Sequence, residues 1–135
     1  MKKIFVYTIE VFGLQILVAV GATAEQIKKW ADKNSKELKE IYKIKENFEN
    51  TEQAIEKNSG FVQVFTKDNI QFYFLWLQEY KNTWCRLDVL NHEVVHLRQF
   101  IFDNKKIINE VEFEAYFQES MFREIRKRLD KYIKK

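Results

Sequence analysis

The chain has 135 residues, 46% hydrophobic and 16% aromatic, with 23 basic and 20 acidic side chains giving a net charge of +3. That length holds one core and not two, the apolar content excludes a disordered chain, and the near-balance of charge argues against a nucleic-acid binder. Cys85 is the single cysteine, so no internal disulfide can form; a reducing, cytoplasmic setting is expected, with the thiol packed as a small hydrophobe.

Met1-Lys2-Lys3, an apolar run and Ala22-Thr23-Ala24 together imitate a signal peptide with an A-x-A cleavage site. Thr8, Glu10 and Gln15 interrupt the run, however, and a charge is costly in such a segment. Ile4 to Phe12 and Leu14 to Val20 are instead rich in Val, Ile, Phe and Tyr, with Gly13 between them, and are expected to pair as a β-hairpin. Thr23 and Gln26 then form a capping box, opening a long helix through Ile27, Trp30, Leu38 and Ile41. Lys and Glu mixed from Lys28 to Lys57 predict a solvated helical face.

Asn58-Ser59-Gly60 ends that region. Phe61 to Thr66 and Ile70 to Leu77 are two further strands around the turn Lys67-Asp68-Asn69. Nearly every residue from Gln71 to Leu77 is apolar, so both faces of that strand should be covered. It is either a plain interior strand or the border of a cleft, where an extended peptide could add by backbone hydrogen bonding.

A helix from about Trp84 to Phe102 follows, and it carries His92-Glu93-Val94-Val95-His96, an HExxH pattern using the only two histidines in the chain. Residues four apart share a helical face with Cβ atoms roughly 5–6 Å apart, close enough for two imidazoles to hold one zinc ion. Glu93 is turned roughly 100° further round, where a general base belongs. Leu90, Val94, Leu97 and Ile101 form an apolar stripe opposite the histidines. Asp88 and Gln99 fall on the histidine face, and either could orient a ligand through its second ring nitrogen. After Asp103-Asn104 a last helix is expected from about Asn109 to Ile133, with Val111, Ala115, Phe122, Ile125 and Leu129 as its core stripe and a basic end that complements the helix dipole. No stretch is apolar for long enough to span a membrane.

Two histidines do not complete a zinc site, and no third histidine exists, so an acid is required. Glu110, Glu112 and Glu114 cluster at the start of the last helix, and helical phase does not choose among them. His92-Glu93-Val94-Val95-His96 followed by Glu112-Phe113-Glu114-Ala115-Tyr116 resembles the gluzincin pattern of HExxH and then E-x-x-A on the next helix, as in HtpX-like membrane peptidases and ImmA/IrrE-type proteins. In size and order the chain is most similar to small phage- or prophage-encoded metallopeptidases, in which a strand ending in a Trp-Leu pair, here Trp76-Leu77, precedes the motif helix. The resemblance covers roughly Ile70 to Arg126. It implies Glu112 as the third ligand; Tyr116 stands where relatives often hold Asp or Asn.

The expectation is one α+β, zincin-like domain over residues 1–135. A small antiparallel sheet should pack against a long N-terminal helix, the HExxH helix and a C-terminal helix. His92, His96 and Glu112 would hold Zn²⁺, and Glu93 would act as general base on a peptide or protein substrate in the cytoplasm of a host cell. The alternative is a non-catalytic zincin-like regulatory or host-directed binding protein.

Overall fold

The computed structural model describes residues 2–9, 12–34, 45–67, 70–105 and 111–133. Four strands, β1 (Lys3–Ile9), β2 (Leu14–Val20), β3 (Gly60–Lys67) and β4 (Ile70–Leu77), form one sheet in the order β1-β2-β4-β3. Among the described residues four helices accompany them: α1 (Ala24–Asn34), α2 (Lys45–Lys57), α3 (Trp84–Lys105) and α4 (Val111–Ile133). The signal-like segment is the expected hairpin, with Lys3 opposite Val20 and Ile9 opposite Leu14, and Gly13 takes the positive φ of 62° that its turn requires. The capping box is formed as well: Thr23 N–H donates to Gln26 Oε1 at 2.9 Å, and Gln26 N–H to Thr23 Oγ1 at 3.2 Å. Leu38 and Ile41, expected in one long helix, and the turn residues Asp68 and Asn69 lie outside the described residues.

The expected antiparallel sheet is mixed. β1–β2 and β3–β4 are antiparallel hairpins, but β2 and β4 run parallel at its centre, with Ile16 opposite Tyr73 and Val20 opposite Leu77. The physical reason is the helical crossover between β2 and β3, which lays the second hairpin beside the first with its last strand innermost. β4 is thus an interior strand. Its backbone is paired on both sides, so peptide addition there is excluded, and β3 and β1 are the edges.

Alternate residues of each strand feed two cores. Ile16, Val18, Val20, Tyr73, Leu75 and Leu77 pack under α3 and α4 with Leu90, Val94, Leu97, Ile101, Met121, Ile125 and Leu129. Leu17, Ala19, Phe74 and Trp76 pack on the other face against Ile27 and Ala31 of α1. Two covered faces explain why β2 and β4 are apolar throughout. The stripe read for α3 is fully buried, but the one read for α4 needs correction. Val111 is 81% exposed and Ala115 is exposed, while Met121 joins Ile125 and Leu129 in the core. The four-residue step from Met121 through Ile125 to Leu129 is the one that faces the sheet. Cys85 is also exposed rather than packed, because it lies in the first turn of α3, short of the buried stripe.

The loop between β4 and α3 is tied to α4 by polar contacts. Buried Tyr80 donates its hydroxyl to Asp130 at 2.7 Å, and Arg126 reaches Asn82 at 3.1 Å. Burial, together with the acceptor Asp130, holds the Tyr80 phenol ionisation well above its ordinary value. Tyr80→Phe should therefore lower folding stability by about 2 kcal/mol, since it strips a charged acceptor of its buried donor. Urea denaturation checks this; an unchanged midpoint would show that water replaces the hydroxyl at no cost.

Candidate metal-binding site

α3 lies against the sheet through Leu90, Val94, Leu97 and Ile101, each fully buried. Burying four such side chains contributes roughly 1.5–3 kcal/mol apiece and sets the rotation of the helix. That rotation fixes what the opposite side presents. His92 is exposed and His96 half-buried, one turn apart on the outer face, with their rings edge-to-face at a centroid distance of 4.6 Å.

The two rings converge through the same atom type, His92 Nε2 lying 3.0 Å from His96 Nε2. A tetrahedral ion with zinc–nitrogen bonds near 2.0–2.1 Å would hold two imidazole nitrogens about 3.3 Å apart. The pair thus fits one ion with little rearrangement. Gln99, one of the two residues expected to orient a ligand, does stand beside the pair, with Oε1 3.3 Å from His96 Nδ1. In the tautomer protonated on Nδ1, His96 donates to Gln99 Oε1 and its Nε2 lone pair faces His92 Nε2. Asp88, the other, is exposed and has no hydrogen bond to either histidine among those formed by the described residues.

Glu93 leaves the outer face and turns toward the edge strand β3. It is 5% exposed, and among the described residues its Oε2 is the buried side-chain atom left without a hydrogen bond. Burial raises its carboxyl pKa above the ordinary value, while positive charge on His92 and His96 works in the opposite direction. An orphaned carboxylate oxygen beside two converging imidazoles is costly to the fold, and such sites are retained where the group has chemistry to do.

Gly60, the first residue of β3, makes this burial possible. A Cβ there would sit 3.0 Å from Val89 Cγ1, 3.1 Å from Glu93 Cγ and 3.2 Å from Leu77 Cδ2. Contacts this short would oblige the Val89, Glu93 and Leu77 side chains to give by a few tenths of an ångström. Gly60→Ala should therefore displace Glu93 and cost about 1–3 kcal/mol of overpacking. A lower denaturation midpoint, with both histidine ring signals shifted in the NMR spectrum, is the expected result. Nothing in the sequence pointed to this role; Gly60 read there only as the end of a helical region.

The acids named as third ligands are dispersed. Glu112 is exposed on the first turn of α4. Glu114 is half-buried and ion-paired with Arg98, whose Nε also donates to Gln118 at 2.9 Å. Glu110 lies outside the described residues. Among the described residues no three His, Cys, Asp or Glu side chains come together around one point. The Arg98–Glu114 pair went unforeseen, because a contact across sixteen residues of chain has no local signature.

Comparison with protein-family models, curated proteins and solved structures found no match to this chain.

Proposed function

We propose that the chain is a zinc-dependent peptidase. The observation that carries the reading is the convergence of two imidazole nitrogens, 3.0 Å apart, beside the buried carboxylate of Glu93. The chemistry a zinc ion supplies when bound is Lewis acidity toward water and a peptide carbonyl. His92 and His96 hold it, with a carboxylate as third ligand; the gluzincin resemblance gives Glu112. Glu93 takes a proton from the attacking water and passes it to the leaving amine. Low polarity around Glu93 favours that task, since it makes the carboxylate a stronger base than a solvated one.

The nearest extended backbone is β3, an edge strand whose first residue touches Glu93 through the gap that Gly60 leaves. A substrate peptide lying along that edge brings a scissile bond toward the carboxylate. No helix among the described residues is long and apolar enough to cross a membrane, and a cytoplasmic site of action fits the single exposed thiol.

One observation favours a second reading. With no third metal-binding side chain beside the histidines among the described residues, a non-catalytic binding protein on a zincin-like scaffold accounts for the same coordinates. Elemental analysis of protein purified without a metal-binding tag separates the two. About one zinc per chain is expected for the peptidase. Proteome-wide comparison of cleaved peptides from cells making wild type or Glu93→Gln then tests catalysis. Identical cleavage patterns, with zinc present, would leave the binding protein.

A further inference from the structure

The histidine pair stands on the open outer face of α3, outside the grooves that run between α3 and α4. Two such grooves are lined on the α3 side by Asn91, Arg98, Gln99 and Phe102, and neither includes a histidine. The helical face around the pair carries Asp88, Gln99 and Asp103, all exposed. Arg86 and Arg98 are turned roughly 100° or more away from it. Both are engaged elsewhere, Arg86 with Glu79 and Arg98 with Glu114. A face of imidazoles and acids, clear of Arg86 and Arg98, receives a cation and whatever else binds that cation without charge opposition.

Two donors are half of what such an ion takes. Zinc in a closed protein site is held by four ligands at the corners of a tetrahedron. His92 Nε2 and His96 Nε2, 3.0 Å apart, supply one edge of that figure. Among the described residues no third His, Cys, Asp or Glu joins them. A second copy of the chain carries the same edge on the same open face, and two edges complete the tetrahedron. Opposite edges of a tetrahedron are perpendicular. Each edge here runs along α3, since residues four apart stand one above the other on a helix, so the two helices cross at about 90°. At that crossing the two Asp88 residues, each about 9 Å along its own helix from the ion, lie at least about 12 Å apart, where salt screens their repulsion.

We infer that one divalent zinc-class cation bridges two copies of this chain, held by His92 and His96 of both in a symmetric four-imidazole site. The inference rests on the reading of the histidine pair as a metal site and not on peptide cleavage. In the bridged form the second copy fills the positions that a third ligand and a water would take, so the dimer is a resting form of the peptidase proposed above. The imidazoles stand between the helices and keep their axes beyond the roughly 8–10 Å at which helices pack, so little apolar area is covered. An interface well below about 1,000 Å² does not hold on its own, and the dimer should exist only with the metal bound.

The test is association against metal. The full-length chain is stripped with a chelator, titrated with Zn²⁺ and followed by sedimentation velocity, with Co²⁺ titrated in parallel in the visible spectrum. Wild type should be monomeric without metal, double its sedimenting mass as half an equivalent of Zn²⁺ is added, and return to monomer in excess chelator. The Co²⁺ bands of a tetrahedral site should be complete at the same half equivalent. H92A and H96A, confirmed folded by circular dichroism, should stay monomeric throughout. Zinc bound at one per chain by a protein that remains monomeric would overturn the bridge and leave the metal site standing. A dimer that survives the chelator, or that forms in both variants, would overturn it too, because its contacts would lie elsewhere. Failure of the underlying reading looks different: wild type would take up no zinc at all, and the bridge and the proposed peptidase site would fall together.

Discussion

Glu93→Gln should leave the protein folded and metal-loaded while peptide cleavage falls by about 100-fold or more, the usual contribution of a positioned general base. The substitution keeps size and helix propensity and removes only the basic carboxylate. It should also make the metal-free protein more stable. Burial raises the Glu93 carboxyl pKa above 4.5, so the folded chain holds that proton more tightly than the unfolded chain does. The associated stability is complete below the unfolded pKa and is lost as pH rises through the folded one. Above the shifted pKa wild type therefore carries a buried, unpaired charge that the Gln variant lacks. A gain of about 1–2 kcal/mol is expected above the shifted pKa, vanishing toward pH 4. Urea denaturation of chelator-treated protein across that range measures it. Unchanged cleavage would remove Glu93 from the chemistry, and a stability loss at neutral pH would mean that the carboxylate has a partner in solution.

The strands, the caps and the motif helix were legible because each is written in local chemistry. Alternating β-branched and aromatic residues, a Thr-x-x-Gln box and a four-three apolar rhythm depend on neighbours a few residues away. The buried faces of Leu90, Val94, Leu97 and Ile101 followed from that rhythm, and so did the outward face of His92 and His96. What was misread depends on distant chain. Parallel pairing of β2 with β4 is set by where a crossover returns, and an apolar strand cannot say which neighbour it will have. Val111 and Ala115 share a helical period with Ile125, yet the end of α4 that carries them stands clear of the sheet. Sequence alone does not choose among Glu110, Glu112 and Glu114 for the same cause. An E-x-x-A spacing fixes a face of one helix, but reach across to another depends on the axial register that Arg98, Glu114 and the Phe102 ring contacts set.

His92→Ala is expected to have the largest effect on the metal-bound state. Removing one imidazole leaves His96 without the partner that holds the shared point, so zinc should be lost at micromolar protein concentrations. An ion that binds the folded chain and not the unfolded one stabilises it by mass action, about 2.7 kcal/mol at a free concentration 100 times its dissociation constant. For a chain of this length that corresponds to a melting temperature roughly 10 °C higher with zinc than without. Wild type should show this shift, and His92→Ala should show none. The metal-free proteins should melt within a few degrees of each other, because His92 is exposed and buries nothing in either core. Glu93→Gln should keep the zinc-dependent shift while losing cleavage, so the two variants separate holding the ion from using it. Scanning calorimetry with and without zinc reads all three proteins. A wild-type melting temperature that zinc does not move would refute the site itself, whatever the histidine geometry suggests.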